Sequence, residues 1–534
     1  IVNHTHSLVN NTADPKIIKY LLKNAPQAVE PFKRLSIIST KIKKLELKNP
    51  IFYSGQKDNP DLVYKSRKNY SPLHYAAMSN DLSLIKELVS FGASVNAESE
   101  DGITAATVAV QYGHHETLKL LGHLGANLLY ENMMGENLAS IAVFHHHAEL
   151  LKDLKRMGIP LNRPCHRGIL PAYLAAEFKQ YRVLSVLKQL GVDFDQFDSR
   201  GVPLSFIAAE FDDVELIEKL VELDINLWDL DLAGENVVHA AAKFGSMRVL
   251  KKLKDYGADY NILSKPLGLT PFMKAAISGQ IQVLEFLKPL QHHLYQYSFE
   301  HYDALQYAAE QGHMMVIALL MHWGFDLLKP NAKGETVASI ACKGAKIEVL
   351  KFLHQHQLLH LQTPQLELNP LPYAVIANHV EVMNFYDSIQ YDFNQKIIGG
   401  YDYVYFAAQS GSLDVLKFLD KKSLPMHLRQ PDGWMPIHAA AKEGHMSVLK
   451  YLHIKGVDLK ETTSEGETIA FIAVKNQQIQ VLDYAHDLGV NLITPNDQGQ
   501  TPFDVALENG DISVLKKLFE WGFYPEFPDE AQPF

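Results

Sequence analysis

Met435-Pro436-Ile437-His438-Ala439-Ala440-Ala441-Lys442-Glu443-Gly444-His445 is the stretch on which the reading of this chain turns. A second stretch, Tyr70-Ser71-Pro72-Leu73-His74-Tyr75-Ala76-Ala77, follows the same plan. Ser71 is placed to cap a helix and Pro72 fits its first turn. The small pair that follows lets neighbouring helices approach closely, where bulk would force them apart. Ala440 and Ala76 belong to one series: Ala76, Ala109, Ala142, Ala175, Ala208, Ala241, Ala275, Ala308, Ala341, Ala374, Ala407, Ala440, Ala473 and Ala506. Every step is 33 residues except the 34 from Ala241 to Ala275, where the extra residue falls in the loop around Ser264-Lys265-Pro266.

Two further registers repeat with it. A leucine stands twelve residues after the alanine in twelve of the fourteen repeats, the exceptions being Tyr386 and Ala485. A glycine stands seven residues before it in eleven, from Gly102 to Gly499. A fixed period of this length means stacked repeats. Each reads as turn, helix, turn, helix, loop. The glycine of Asp101-Gly102 or Asp432-Gly433 supplies the positive φ of a tight turn. The second helix carries spaced aliphatics, as in Leu84, Ile85, Leu88 and Val89, and ends at a glycine such as Gly92, Gly125 or Gly456. Gln291, Gln357, Gln390 and Ser423 stand where that glycine is expected. The stretch from His354 to Tyr405 also loses most of the helix-opening signature, and the array is read as irregular around 288–300 and 354–430. Those stretches are rich in tyrosine, which either fills gaps left by imperfect stacking or forms an aromatic binding site.

Ser71-Pro72-Leu73-His74-Tyr75-Ala76-Ala77 followed by Phe91-Gly92-Ala93-Ser94-Val95-Asn96, with Met435 to His445, Thr270-Pro271 and Thr501-Pro502, resembles the ankyrin repeat. The resemblance covers about residues 69 to 524 and implies an all-α ankyrin-repeat solenoid of about 14 helix-turn-helix units. Residues 1–67 are expected to form a basic N-terminal helical cap, residues 68–524 the array, and residues 525–534 a tail.

Composition agrees with a globular chain. Of 534 residues, 47% are hydrophobic and 21% charged, enough to bury a large core. Residues 1–68 carry 13 Lys and Arg against 5 Asp and Glu, a net of +8, leaving 37 against 56, or −19, for the remainder. An acidic body disfavours nucleic acid as the main partner. The basic head interleaves Lys33, Arg34, Lys41, Lys43 and Lys44 with aliphatics at helical spacing, as a solvated helix face does. Cys165 and Cys342 cannot staple a chain of this size, so a reducing compartment is expected. No stretch approaches the roughly 18 apolar residues a spanning helix needs, and the start lacks a hydrophobic signal core. The chain opens on Ile1 rather than Met, so a trimmed start is expected.

Family resemblance implies binding through turn tips and first helices, the concave side of the array. The position three residues after the alanine reads Tyr112, His145, Phe178, Phe211 and Phe244 in five consecutive repeats. With helices about 8–10 Å apart, these rings would form a stripe of roughly 35–40 Å. The preceding position supplies Gln111, Phe144, Glu177, Glu210 and Lys243, a polar rim of the kind that surrounds hot spots. The rings either anchor a partner or cover the ends of the inner helices, and the sequence leaves both open. Trp434, one residue past Gly433, is a second candidate at a turn tip.

Chemistry has little support. His74, His239 and His438 occupy the place that the family uses for hydrogen bonds between turns, while His114, His147, His313, His379 and His445 fall at the start of second helices. The run His145-His146-His147, and His354 with His356 and His360, lack a cysteine or carboxylate to complete a metal site. Cys165-His166, adjacent on a turn, is no nucleophile and base, and Cys342 replaces a buried alanine. Phosphate loops, nucleophile elbows and His-Glu-x-x-His are missing. No catalysis, metal or cofactor is expected.

The function read from the sequence is therefore protein recognition by a monomeric scaffold. Lysine-rich second helices and degenerate central repeats are similar to ankyrin-repeat effectors that intracellular bacteria deliver into host cells, which implies a host protein as partner and the host cytosol as location. The alternative is the targeting or regulatory region of a larger enzyme or membrane protein.

Overall fold

The computed structural model describes residues 70–90, 92–165, 168–359 and 369–523. The expected cap over 1–67 and tail over 525–534 lie outside these residues, as do His166 and His360. Among the described residues there are twenty-eight α-helices and no strand, arranged as fourteen pairs. A first helix of six to eight residues, such as Pro72–Met78, is followed by a second of mostly nine, such as Leu82–Ser90. The chain divides into two compact units: one runs to Asp259 with Leu263–Lys265, the other holds Tyr260–Ile262 and everything from Pro266. The division falls at the loop that holds the single 34-residue step. Six helix pairs belong to the first unit and eight to the second.

All fourteen marker alanines are fully buried, each at 0% exposure. They sit in first helices that pack on the first helices of adjacent repeats within each unit. Twelve leucines of the second register are buried beside them, and the two exceptions are buried too. First helices open on short polar residues whose side chains accept from a backbone N–H one turn in: Thr104 from Thr107, Asn137 from Ser140, Asp402 from Tyr405, Thr468 from Phe471.

Every first helix ends at a left-handed residue four positions after its alanine. In seven repeats this is glycine; in the others it is Asn80, His146, Lys179, Asp212, Ala345, Asn378 or Gln477, with φ between 48° and 63°. In seven repeats the next residue, at the start of the second helix, ties that helix to the preceding repeat. His114 Nε2 lies 2.9 Å from the carbonyl of Met78, His147 3.0 Å from Gln111, His313 2.8 Å from Ile277, His379 2.9 Å from Lys343 and His445 3.1 Å from Gln409. Each ring donates to a carbonyl at a helix end that would otherwise lack a partner. Their structural role follows from these distances. Ser412 makes the same bond to Ile376, as Ser246 does to Ala209. Glycine suits the site beneath such a ring: a Cβ on Gly411 would meet Nδ1 of His445 at 2.6 Å, at a φ of +72°.

The irregular stretches keep the helix pairing. Gln357, Gln390 and Ser423 adopt the left-handed turn with φ of 58°, 61° and 64°, as does Asp224, which the sequence reading passed over. Gln291 does not: Pro289 lies in a 3-10 turn, Lys288–Leu290, and the second helix stops at Leu287 after seven residues. Tyr386, standing where leucine recurs, is 0% exposed, and its hydroxyl lies 3.7 Å from the Cys342 sulfur. Beside it Tyr391 and Tyr403 share a hydroxyl contact of 2.7 Å, and Asn369 donates to Tyr403 at 2.9 Å. Burial pushes the Cys342 thiol up to about 12, so it is an inert protonated core group. Tyr302, Tyr307 and Tyr405 are buried as well, whereas Tyr295 is exposed. Most of these tyrosines therefore fill the core.

Gly411→Ala should destabilise the fold by about 1–3 kcal/mol, combining the steric contact with His445 and the left-handed backbone. Ala345→Gly, already left-handed, should be neutral or stabilising by up to about 1 kcal/mol. Urea unfolding followed by circular dichroism compares the two; equal midpoints would contradict the strain assigned to this turn.

Candidate protein-binding face

The sequence-read face is built where first helices end. Gln111, Phe144, Glu177 and Glu210 are the last residues of their helices, and Tyr112, His145, Phe178 and Phe211 the residues that follow. Lys243 and Phe244 end Val237–Phe244. Because the next residue turns left-handed, these side chains leave the helix before the chain reverses. All ten lie in the first unit. Phe178 is 36% exposed, Phe211 50% and Phe244 44%, whereas Tyr112, Phe144 and His145 are half-buried.

The structure brings some of these residues into contact. The Phe144 and Phe178 rings meet edge to face with centroids 5.4 Å apart, and Phe144 meets His145 at 5.1 Å. Gln111, Phe144 and His145 line a small recess with Ile103, Thr107 and Glu136. Lys243 holds its ammonium 5.3 Å from the centroid of its neighbour Phe244. Trp434 belongs to the second unit, half-buried, with Lys442 Nζ 5.9 Å from its ring and His438 6.1 Å away.

Arg200, at the turn before Gly201, was not singled out from the sequence. Its Nε lies 2.7 Å from Asp198, and its terminal nitrogens reach Glu177 and Glu210, each at 3.4 Å. One turn-tip arginine thus ties together the acidic rim of two successive repeats. Burial raises the pKa of the Glu177 carboxyl, with the Arg200 charge opposing it. The residue before the turn glycine was the available signal, but its reach to helix ends is a three-dimensional fact.

Burial lowers the pKa of four histidines, His74, His145, His147 and His438. His145 is pushed down to about 4 by desolvation, with the neighbouring His147 and His146 adding to it. His438 is also pushed down to about 4 by desolvation. Its Nδ1 accepts from the Met435 N–H at 3.2 Å, so Nε2 carries the proton and donates to Glu461 at 2.9 Å. His74 makes the same pair of bonds, to Ser71 at 3.0 Å and Ile103 at 2.7 Å. Among the described residues no group of three or more His, Cys, Asp or Glu could hold a metal ion, and no helix is long and apolar enough to cross a membrane.

These repeated helix pairs, stitched by histidine and faced with turn tips, define a repeat-built interaction module. The chain belongs to the ankyrin-repeat family: the family model, "Ankyrin repeats (3 copies)", matches residues 6–132, 205–295, 238–331, 404–491 and 437–529, more than half of the chain. Such repeats generally serve protein–protein interaction. The first match begins at residue 6, inside the stretch expected to be a cap. No curated protein matches the sequence. Among solved structures, the human ASB11 ankyrin repeat domain is 24% identical, covering 41% of this chain and 97% of its own, with a TM-score of 0.35. The ankyrin repeat domain of Bcl-3, titled a unique member of the IkappaB protein family, is 21% identical over 41% of this chain and 99% of its own, with a TM-score of 0.37.

Acid should weaken the fold through the neutral histidines. An unfolded histidine takes up its proton near pH 6.5, whereas His438 in the fold resists until about 4, so stability should fall as pH drops through that window. His438→Gln should flatten part of the slope relative to the unmodified chain; identical slopes in thermal melts between pH 7 and 4 would refute this assignment.

Proposed function

We propose that this chain recognises a protein partner through the first-helix ends of its first unit. Tyr112, His145, Phe178, Phe211 and Phe244 serve as anchors, and Gln111, Phe144, Glu177, Glu210 and Lys243 form the rim. What carries the reading is the exposure of Phe178, Phe211 and Phe244, between 36% and 50%, on three consecutive repeats. Exposed rings bordered by charged groups have the composition of an interaction hot spot. Arg200 adds to it by holding Glu177 and Glu210 in place, so the rim meets a partner with its charges already positioned. Trp434 is a further contact on the second unit.

The partner sought is a host-cell protein and the site of action the host cytosol, with the chain acting as a monomer. The sequence features behind that part are the lysine-rich second helices and degenerate central repeats.

A pull-down from eukaryotic cell lysate, comparing the chain with its Phe178→Ser, Phe211→Ser, Phe244→Ser variant, tests the reading. Replacements at exposed positions should shift stability by no more than about 0.5 kcal/mol each, with Phe178 losing somewhat more through its Phe144 contact. A protein held by the chain and lost by the folded variant is the expected result. Equal recovery would remove the face from consideration, and unfolding of the variant would show that the rings are packing.

A further inference from the structure

The last repeat, Pro502–Glu508 with Ile512–Glu520, leaves apolar side chains exposed at places that every other repeat closes. One residue after the marker alanine, thirteen repeats carry Ala, Val or Cys at no more than 2% exposure, from Ala77 to Val474, whereas the fourteenth carries Leu507 at 51%. Nine residues after it, the thirteen side chains from Ile85 to Leu482 are 0% exposed, whereas Leu515 is half-buried. The residue that opens the second helix is buried or half-buried in thirteen repeats, whereas Ile512 is 66% exposed. A terminal repeat that faces water presents polar side chains there. This one presents two leucines and an isoleucine, the composition of a covered surface.

Two observations say what covers it. The first is size. The register of Leu507 holds small side chains elsewhere because first helices approach closely there, and a leucine would hold a further first helix away. Another repeat at the spacing of the array, or the first helix of a second copy, is thereby disfavoured, and a cover that inserts single side chains is favoured.

The second is the sequence that follows Phe523. Its eleven residues, outside the described ones, carry Tyr524, Phe527 and Phe534, three prolines, three carboxylates and no Lys or Arg. Gln532 stands where the 33-residue period would place the counterpart of Gly466 and Gly499, so the repeat plan is not continued. Three prolines in eleven residues favour an extended path over a helix. The reach suffices: from the helix end at Glu520 back to Leu515 is about 8 Å and to Ile512 about 12 Å at the helical rise. Fully extended, the four residues from Phe523 to Phe527 span about 13 Å and the eleven to Phe534 about 36 Å.

We propose that residues 524–534 fold back over the last repeat and close the array, with Phe527 on Leu515 and Phe534 on Ile512 and Leu507. The contact is made within one chain, in the second unit, and stands independently of the protein-binding face.

Hydrogen exchange read by mass spectrometry on the full chain tests it, with Phe527→Ser, Phe534→Ser as the first variant. Amides of residues 502–520 should exchange about tenfold faster in the variant, while those of the first unit keep their rates and report that the chain is folded. Leu507→Glu is the second variant. On an open face it exchanges one exposed side chain for another and leaves the last repeat unchanged; beneath the proposed cover it sets a charge against Phe534 and loosens the last repeat as the first variant does. Light scattering on all three chains reads their association. Faster exchange in both variants of a monomeric chain is the expected result. Faster exchange in one variant alone, or in neither, overturns the proposal, and so does a dimer that Leu507→Glu dissociates, which would put a second copy on the face.

Discussion

Fourteen alanines with no accessible surface set the terms for everything else. Adjacent first helices approach until only a methyl fits between them, and that spacing brings the helix end of one repeat within reach of the next. The histidine and serine bonds to preceding carbonyls exist because of this approach. So do the turn-tip bonds, as where the Met133 N–H meets Asp101 at 3.3 Å and the Phe299 N–H meets Leu267 at 2.9 Å. Close packing here works through shape, since a larger side chain would separate not one contact but all those that run alongside it.

The proposed binding face follows from the same geometry. In the five repeats from Ala109 to Ala241 the side chains beside the left-handed turn are mostly aromatic or charged, and three of the phenylalanines among them are exposed. Phe144 and Phe178 touch across one repeat junction because the repeats are stacked at helix-packing distance. Arg200 reaches two successive rim carboxylates for the same reason. Neither relation needs an unusual local structure; both need only the spacing.

The period of 33 made the fold legible, since a fully buried alanine, a buried leucine and a turn glycine each obey a strict steric demand. The stitching histidines were legible because one residue type recurs at one place. What escaped notice shares a cause: the residue ending each first helix varies among Gly, Asn, Asp, His, Lys, Ala and Gln while its backbone stays left-handed, so chemistry hides a conformational constant. Asp224 was missed in the same way. Tyr386 was seen as an exception to the leucine register, but its burial beside Cys342, with Tyr391 and Tyr403 nearby, depends on neighbours many residues away.

The stitching bonds carry one more consequence. They join residues 36 or 37 apart, as does the bond from the Asp414 N–H to Asn378, and the turn-tip bonds join residues about 32 apart. The chain therefore closes loops of one repeat's length again and again, and the entropy of closure does not grow as repeats are added. Although each unit is long, its topology is as local as that of a single pair of repeats. Such a molecule can begin to fold in several places and join its pieces by growth, a route closed to a globule of the same size whose ends must find each other first.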